Sequence, residues 1–554
     1  MSTPNYSTET LDRIRKLERI KTLGVNPYAT KFDITHQIGQ ILVNHPAKIE
    51  EGQTSSFRAV EDIIPAPVSE VSLAGRVMLH RSFGKICFAT INDGTGRVQI
   101  LFSRENCNII VDGEKKTELS PVILNEVKDP GTMETLDSSA KPQNDGSAES
   151  LSAYKFAEKL IDLGDFVGVK GELFYTHKGE LTLFVSEFSF LTKAIRPLPE
   201  KFHGMENEDE RYRKRYLDMA MDDELRALFY RKAKFWETIR NFMKDKGFLE
   251  VETPTIEHTT GGAEARPFAT HHNDYDVDVY MRICVGELWQ KRLMAGGFPK
   301  TFEIGRAYRN EGSSPEHLQE FTNMEFYWSY ADYEDGMKLV QELYQAIALT
   351  VYGRTKFTAK GHEFDLAGNW PKVDYLEAVE SKTGINLLTA TDEEMKAKLA
   401  ELGVKYEGDN RERLTDTLWK YVRKTITGPA FLVNHPQIIS PLAKASAKSP
   451  GKVERFQPII AGSEVGNGFS ELNDPLDQRS RFELQQELLA QGDDEAMMPE
   501  WDFVEMLEHG MPPTCGFGFG ERFFAFLEDK PLRECQYFPF IKPRFGSHHS
   551  LGGE

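Results

Sequence analysis

The sequence has few cysteines and no long apolar run. Its five cysteines are odd in number and widely spaced along 554 residues, and no two stand in the CxxC spacing of a zinc site. No stretch approaches the roughly 18 consecutive apolar residues that a membrane-spanning helix requires. The N-terminus is charged throughout and does not look like an export signal. We therefore expect a soluble, cytoplasmic protein with free thiols and no membrane anchor.

An excess of positive charge is also missing. The chain has 67 Lys and Arg against 86 Asp and Glu, which gives a formal net charge of −19. A protein that coats nucleic acid without sequence preference needs a broad basic surface, so the charge argues against that class, and we expect no DNA partner. Binding of a few unstacked RNA bases stays compatible, because it requires only a local basic and aromatic surface.

The first third of the chain has the pattern of a small β-barrel. An amphipathic helix is predicted over residues 8–24, and about five short strands follow in two blocks, 71–102 and 163–192, with DGTG and KGE turns. Such a set of strands suits an OB-fold. The break between the blocks, about 104–152, ends in a polar stretch without periodicity and is predicted to be a loop insertion. Order imposed by packing on neighbouring elements stays open as the alternative.

The larger second part predicts an α+β domain around a mostly antiparallel sheet. Helical stretches at 223–246, 335–352, 393–403, 411–425 and 478–491 alternate with strand-like ones at 302–310, 321–330 and 431–439. We therefore expect a multidomain chain with these parts: an N-terminal helical extension (1–57), the barrel (58–195), a linker (196–222), the α+β domain (223–545) and a tail (546–554).

Three segments of the α+β domain concentrate unusual residues. Residues 247–256 turn from a helix end into a short strand, for which a packing role is as good an interpretation as a catalytic one. Residues 302–330 are predicted to carry Arg309 and Glu311 on one strand and Glu320 and Glu325 around the next; this pattern suits either a solvated face or a nucleotide site. Residues 512–527 form a glycine-rich junction between a strand and a helix, and they lack the GKS or GKT ending of a P-loop.

In this order the three segments resemble the three motifs of class II aminoacyl-tRNA synthetases. The strings FLTKAIRPLPEKFHG, GGAEARPFATHHNDYD, VGELWQKRL and GSEVGNGFSELNDPLDQ extend the likeness. Over roughly residues 58–545 the chain is similar to the lysyl-tRNA synthetases of the bacterial type. The resemblance implies an OB-fold that binds the anticodon, a class II domain that activates L-lysine with ATP and Mg²⁺ and transfers it to tRNA(Lys), and a homodimer with the first motif at its interface.

The resemblance also implies roles for individual residues of this sequence. Arg309 would contact the α-phosphate and the lysine carboxylate, and Arg522 the far end of ATP. The adenine and the γ-phosphate would meet Glu311, His317 and Phe321. Lysine would be bound by Gly262, Glu287, Tyr327, Asn467, Phe469 and Glu471. Magnesium would be held by Glu464, and anticodon bases by Phe88 and Gln99, with Arg81 and Glu180 as weaker candidates.

The physical chemistry of these roles is coherent. A lysine carboxylate that attacks ATP is already ionised, so the chain needs cations rather than a general base, and Arg309 and Arg522 would offset the repulsion between two anions. The ε-ammonium needs an anion, which Glu471 together with Tyr327 would supply. For Phe88, core packing is the alternative to base stacking.

Several positions depart from the family pattern. Glu316 stands where a phosphate-binding arginine is expected, Gln457 where a second magnesium carboxylate is expected, and Gly286 where a proline is usual. Three alternatives to a lysine enzyme stay open. They are a synthetase of the same subclass for aspartate or asparagine, a ligase that lysylates protein, and a noncatalytic RNA-binding paralogue.

Overall fold

In a computed structural model the chain divides into two units, Met1–Asp223 and Glu224–Glu554. The structure describes residues 6–46, 64–65, 70–121, 149–176, 178–199, 205, 207–262, 265–312, 314, 317–406, 408, 410–492 and 496–544. The predicted tail at 546–554 lies outside these residues. Within the described ranges no helix is both long and apolar enough to cross a membrane. All five cysteines are free and buried, as expected.

The first unit is built mainly from strands. Its helices among the described residues are α1 (Thr8–Thr22), α2 (Ile38–Asn44), α3 (Ala153–Leu160), α4 (Glu208–Arg213) and α5 (Arg215–Met221). Its strands are β1 (Ile64–Pro65), β2 (Val71–Phe83), β3 (Ile86–Asn92), β4 (Arg97–Ser103), β5 (Asn108–Val111), β6 (Glu114–Lys116), β7 (Glu118–Leu119), β8 (Leu151–Ser152), β9 (Phe166–Tyr175) and β10 (Leu181–Thr192). The predicted helix at 8–24 is confirmed, and the predicted linker contains α4 and α5.

Five of these strands close a barrel. From β9 the order runs through β2, β3 and β4 to β10, and β10 pairs back with β9. The pairing of β4 with β10 is parallel, and the other four are antiparallel. Alternate side chains, such as those of Cys87, Ala89 and Ile91 in β3, fill the interior. The predicted small barrel is confirmed.

The segment at 104–152 is ordered at both ends, which corrects the prediction of a loop insertion for those ends. Strand β5 pairs in parallel with β10 and buries Ile109 and Val111 in the barrel core. Strands β7 and β8 pair with each other from the two sides of the break. The β-branched residues of the NIIV stretch explain why packing on the barrel orders it as a strand. Residues 122–148 lie outside the described residues.

The second unit combines helices with a long sheet. Its helices are α6 (Asp223–Asp245), α7 (Glu287–Ala295), α8 (Tyr333–Ile347), α9 (Tyr375–Thr383), α10 (Asp392–Glu401), α11 (Arg411–Val422), α12 (Pro475–Ala490), α13 (Trp501–His509) and α14 (Arg522–Leu527). Its strands are β11 (Leu249–Glu250), β12 (Ile256–Glu257), β13 (Ala269–His272), β14 (Val277–Met281), β15 (Lys300–Tyr308), β16 (Glu320–Ser329), β17 (Lys356–Ala359), β18 (His362–Asp365), β19 (Lys372–Asp374), β20 (Ala430–Val433), β21 (Arg455–Ile460), β22 (Ser463–Glu464), β23 (Asn467–Ser470) and β24 (Thr514–Gly520).

The main sheet of this unit has the strand order β11-β15-β16-β24-β23-β21-β20-β19, with β22 beside β21. Only the outermost pairs, β11 with β15 and β19 with β20, are parallel. The predicted, mostly antiparallel sheet is therefore confirmed, as are the five predicted helices within a few residues. The strand predicted at 431–439 is shorter than expected, because β20 ends at Val433 and a 3₁₀ turn follows at Gln437–Ile439.

Candidate active site and nucleic-acid interface

The glycine-rich strand β24 has a packed side and an open side. Its Cys515, Phe517 and Phe519 are buried, and glycines alternate with them along the strand. A Cβ atom on Gly516 would come within 2.1 Å of Glu471 Oε1. Because glycine has no side chain, side chains of neighbouring strands can lie directly against the backbone of β24 at these positions.

A cavity of about 320 Å³ lies over this strand. Every residue predicted for catalysis, ATP, lysine or magnesium lines it. These are Gly262, Glu287, Arg309, Glu311, His317, Phe321, Tyr327, Glu464, Asn467, Phe469, Glu471 and Arg522. The fold thus brings together side chains that are distant in the sequence.

One end of the cavity carries arginine side chains. Arg309 donates from Nε to the carbonyl of Ile283 (3.2 Å), and its guanidinium lies 5.4 Å from the centre of the Phe321 ring. Nη2 of Arg522 lies 3.0 Å from Nε2 of His317. Guanidinium groups beside an aromatic face suit a phosphate chain with an attached base.

The backbone at this end differs from the prediction. Strand β15 ends just before Arg309, so Arg309 and Glu311 lie in the following loop and not on a strand. Glu320 and Glu325 belong to β16 but are an odd number of positions apart, so they lie on opposite faces. Glu325 lines the cavity, whereas Glu320 is exposed and pairs with Arg306 at 3.5 Å. The prediction was wrong because it assumed that the strand continued past Tyr308, where the extended backbone ends.

Three carboxylates line the other end of the cavity, and one buried ammonium pairs with two of them. Glu287, Glu325, Glu471 and Lys291 are all buried. Nζ of Lys291 lies 2.9 Å from Glu287 Oε1 and 2.6 Å from Glu471 Oε2. With all four groups ionised, two negative charges stay uncompensated. This end therefore suits a ligand that carries two positive charges.

The pKa values of these carboxylates reflect their crowding. Burial, followed by the charge of Glu287, raises the pKa of Glu325 to about 7. Hydrogen bonds from a backbone N–H (2.7 Å) and from the Tyr327 hydroxyl (3.2 Å) act in the opposite direction. Burial also raises the pKa of Glu471, and the Lys291 ammonium opposes that rise. A bound cation would lower both pKa values.

Two residues of this end were not assigned from the sequence. Glu325 lies two positions before Tyr327 on β16, so strand alternation could have placed it on the same face. Lys291 lies four positions after Glu287 in α7, and helical spacing could have paired them. Nothing local in the sequence indicates that Glu471 would meet this pair.

The predicted magnesium ligand Glu464 already accepts hydrogen bonds within the protein. Trp419 Nε1 donates to its Oε1 (2.5 Å), Gln457 Nε2 donates to its Oε2 (3.3 Å), and Arg423 Nη1 lies 3.4 Å from Oε1. Burial lowers the pKa of His435, so its neutral ring donates from Nε2 to the Gln457 carbonyl (2.9 Å), which turns the Gln457 amide nitrogen toward Glu464. Mg²⁺ prefers oxygen ligands, so this donor set fits one carboxylate contact to an ion but not two.

The four residues predicted to contact the anticodon share one face of the barrel sheet. Arg81 in β2 lies opposite Phe88 in β3, and Phe88 lies opposite Leu101 in β4. Gln99 is two positions from Leu101, so its side chain lies on the same face. Its amide nitrogen donates to Glu180 Oε2 at 3.0 Å.

Phe88 lies outside the barrel core. Its chain neighbours Cys87 and Ala89 belong to the core, whereas the Phe88 ring is half-buried and meets Phe83 edge-on at 6.2 Å. Core packing, the alternative to base stacking, therefore does not explain this side chain. A half-exposed ring beside polar groups is the arrangement that stacks with unpaired bases.

Comparisons with known proteins agree with this geometry. Residues 207–542 match the family model of class II tRNA synthetases (D, K and N), and residues 71–118 match that of the OB-fold nucleic acid binding domain. The chain is 38% identical over 538 residues to a lysine–tRNA ligase of Thermotoga maritima, which covers 96% of this chain and 95% of that protein. The chain belongs to the class II lysyl-tRNA synthetase family. The lysine–tRNA ligases of Fervidobacterium nodosum (533 residues, 96% and 93%) and Carboxydothermus hydrogenoformans (537 residues, 96% and 97%) are also 38% identical to it.

Of the positions that depart from the family pattern, Gly286 is described by the structure and can be explained. Gly286 begins helix α7 with a φ of 70°, which proline cannot adopt because its ring fixes φ near about −65°. A Cβ there would come within 2.2 Å of Thr253 Oγ1, a hydroxyl that donates to Glu303 (2.7 Å). The glycine is therefore part of a local backbone arrangement. Glu316 lies outside the described residues.

Proposed function

We propose that the chain condenses L-lysine with ATP to lysyl-adenylate and then transfers the lysyl group to tRNA(Lys). Its curated relatives carry the name of that activity. The observation that supports it most directly is the polarity of the cavity, with Arg309 and Arg522 at one end and buried carboxylates at the other. Such a cavity matches a polyphosphate and a diammonium ligand side by side.

In the first step a carboxylate oxygen of lysine attacks the α-phosphorus of ATP. The new P–O bond forms as the bond to the leaving pyrophosphate breaks. Arg309 would hold the α-phosphate and the attacking carboxylate, and Arg522 the far end of the triphosphate. No residue has to remove a proton, because the nucleophile is already ionised. The residues contribute by aligning two anions and offsetting their repulsion.

The nucleotide would be held on the loop and strand beside Arg309. Phe321 would stack on the adenine, Glu311 would accept from its amino group, and His317 would meet the γ-phosphate. The support for this arrangement is the shared wall of the cavity, where Arg522 lies 3.0 Å from His317 and Arg309 lies above the Phe321 ring.

Lysine would be recognised through both of its ammonium groups. In this proposal Glu287 and Gly262 receive the α-ammonium, and Glu471 with Tyr327 receives the ε-ammonium. Asn467 and Phe469 line the same cavity and would contact the remainder of the side chain. Each charge-assisted hydrogen bond contributes roughly 1.5–3 kcal/mol, so neutral amino acids of similar shape would bind poorly.

Glu464 would hold the magnesium ion that accompanies ATP. When bound, the ion neutralises part of the phosphate charge. The hydrogen-bond chain from His435 through Gln457 orients the Glu464 carboxylate.

In the second step a ribose hydroxyl at the 3′ end of tRNA attacks the carbonyl carbon of lysyl-adenylate. The ester bond forms, the bond to AMP breaks, and the hydroxyl proton is released with AMP. The barrel face would select the tRNA, with Phe88 stacked on an anticodon base and Gln99 reading a base edge. Arg81 and Glu180 lie beside them as further contacts.

We also propose that the enzyme is a cytoplasmic homodimer with residues 247–256 at its interface. Leu249 and Ile256 of this segment are 49% and 57% exposed. Strand β11, which contains Leu249, lies at the edge of the main sheet, where a second copy can cover it. Light scattering on the purified chain should give the mass of a dimer, and a monomer at micromolar concentration would contradict this part of the proposal.

An exchange assay with labelled pyrophosphate and ATP, run with each of the twenty amino acids, tests the activity. Lysine alone should support exchange, and the enzyme should then charge tRNA(Lys). Exchange with aspartate or asparagine would indicate another enzyme of the subclass. Lysine exchange without tRNA charging would favour a ligase that lysylates protein, and the absence of exchange would favour a noncatalytic paralogue.

A further inference from the structure

Lys291 is a buried lysine that contacts two of the carboxylates lining the cavity proposed to bind lysine. Its side chain is 1% exposed and projects from α7, one helical turn after Glu287. The ammonium bridges Glu287 Oε1 and Glu471 Oε2. It also lies over the rings of Phe469 and Phe503, at 5.3 and 5.7 Å from their centres. Ion pairs and aromatic faces thus fix the position of this charge.

The bridge engages one oxygen of each carboxylate. Among the described residues Oε1 of Glu471 has no hydrogen-bond partner, and it faces Gly516, where a Cβ would come within 2.1 Å. The other oxygen of Glu287, Oε2, faces Gly262, where a Cβ would come within 3.3 Å. One oxygen of each carboxylate is therefore directed toward a glycine that lines the cavity.

We propose that Lys291 is a positioning residue that sets the specificity for lysine. Its fixed ammonium holds Glu287 and Glu471 at a set separation, so that their remaining oxygens receive the α- and ε-ammonium groups of the substrate. The inference rests on the proposed function, because it assigns these two carboxylates to the two ends of lysine. It adds that a charge of the protein, and not the carboxylates alone, determines the length of diamine that fits.

The surroundings of Lys291 explain why its charge is needed. Glu325 lies in the same buried cluster as the two bridged carboxylates. Tyr327 and Cys284 also face the cluster, but burial raises their pKa values, so they stay uncharged at neutral pH. Removal of the ammonium would leave three crowded carboxylates that take up protons instead. A protonated carboxyl binds an ammonium less strongly than a carboxylate does.

The test is the pH dependence of Lys291→Met in lysine-dependent pyrophosphate exchange between pH 6.5 and 8.5. At pH 6.5 the variant should raise the KM for lysine by about 10- to 100-fold, and the increase should shrink as the pH rises and the carboxylates ionise. The KM for ATP should stay unchanged, and the wild-type profile should be flatter. Lys452→Met is the matched control, because its ion pair with Asp374 (2.8 Å) lies outside the cavity residues.

A rise that is independent of pH, or equal changes in both KM values, would show a merely structural role and overturn the inference. If circular dichroism shows that Lys291→Met does not fold, Lys291→Arg decides. Arginine keeps the charge but changes its reach, so the pH profile should stay that of the wild type while the preference for lysine over ornithine falls several-fold. An unchanged preference would overturn the inference. Wild-type enzyme without lysine-dependent exchange would instead contradict the proposed function itself.

Discussion

The acidic end of the cavity and the outer face of the barrel are proposed to bind different ligands by contrasting means. At the acidic end Glu471 and Lys291 are 0% and 1% exposed, and full charges face one another. On the barrel the half-buried Phe88 ring and the Gln99 amide lie at the surface. Water weakens interactions on an open face but not in a buried site. A single charge can therefore decide recognition in the cavity, whereas the barrel relies on several modest contacts.

The largest effect should come from removing one charge in the cavity. Glu471→Gln keeps the shape but leaves Lys291 and the substrate without their anion. Loss of one partner of a buried pair costs about 3–5 kcal/mol, so kcat/KM for lysine should fall by about 10²- to 10⁴-fold. Pyrophosphate exchange kinetics measure this loss.

Glu257→Gln provides the matched control for that variant. Burial raises the pKa of Glu257 to about 7, its carboxylate accepts from Trp289 Nε1 (2.8 Å), and it is not among the residues that line the cavity. Exchange with lysine should be nearly unchanged in this variant. If Glu471→Gln were equally harmless, the assignment of the acidic end to lysine would be wrong.

Shape should matter next, because the cavity is bounded by backbone. Gly516→Ala places a methyl group 2.1 Å from the resting position of Glu471 Oε1. Overpacking of this kind costs roughly 1–3 kcal/mol, so the KM for lysine should rise by about 5- to 150-fold. Gly520→Ala on the same strand meets Asn323 Oδ1 at 3.1 Å and should affect lysine less. Equal increases of the KM for lysine in the two variants would contradict this prediction.

On the barrel face the expected effect is smaller and separable. Phe88→Ala should weaken tRNA(Lys) binding by about 5- to 20-fold, toward the lower part of the roughly 1–3 kcal/mol that base stacking contributes. Lysine-dependent pyrophosphate exchange, which requires no tRNA, should stay at the wild-type rate. Parallel losses of charging and exchange would show that Phe88 supports the fold and not the tRNA contact.

The smallest effect is expected at the metal position. Gln457→Glu adds an anionic oxygen beside Glu464, and hard cations prefer such ligands. The magnesium concentration for half-maximal exchange should fall several-fold. Manganese binding in the absence of nucleotide, measured by electron paramagnetic resonance, should tighten in parallel. An unchanged magnesium requirement would show that position 457 does not contribute to magnesium binding.

Periodicity predicted helices such as α1 and α6, because each repeats apolar residues at a helical spacing. The prediction was wrong where tertiary contacts decide. Strand β5 is ordered by β10, to which it pairs far along the chain. Arg309 and Glu311 were predicted to lie on a strand, because the alternation of side chains does not show where the extended backbone ends.

The residues of the candidate site could be predicted where they belong to short sequence motifs. Each residue assigned from the three motifs does line the cavity, although its individual role stays a prediction. Lys291 could not be found in this way, because its importance depends on the approach of Glu471 from a strand that lies far away in the sequence. Nor does the sequence show that Trp419 and Arg423 would reach the carboxylate of Glu464.

The buried cysteine thiols of each unit can report the local opening of that unit. Cys87 and Cys107 lie in the barrel, and Cys284, Cys515 and Cys535 in the second unit; burial raises the pKa of each. An alkylating reagent reacts with the thiolate, so labelling must wait for a fluctuation that exposes the sulfur. Cys284 faces the acidic cluster, and its alkylation should slow when a diamine occupies that cluster. The barrel cysteines should keep their own, independent rate.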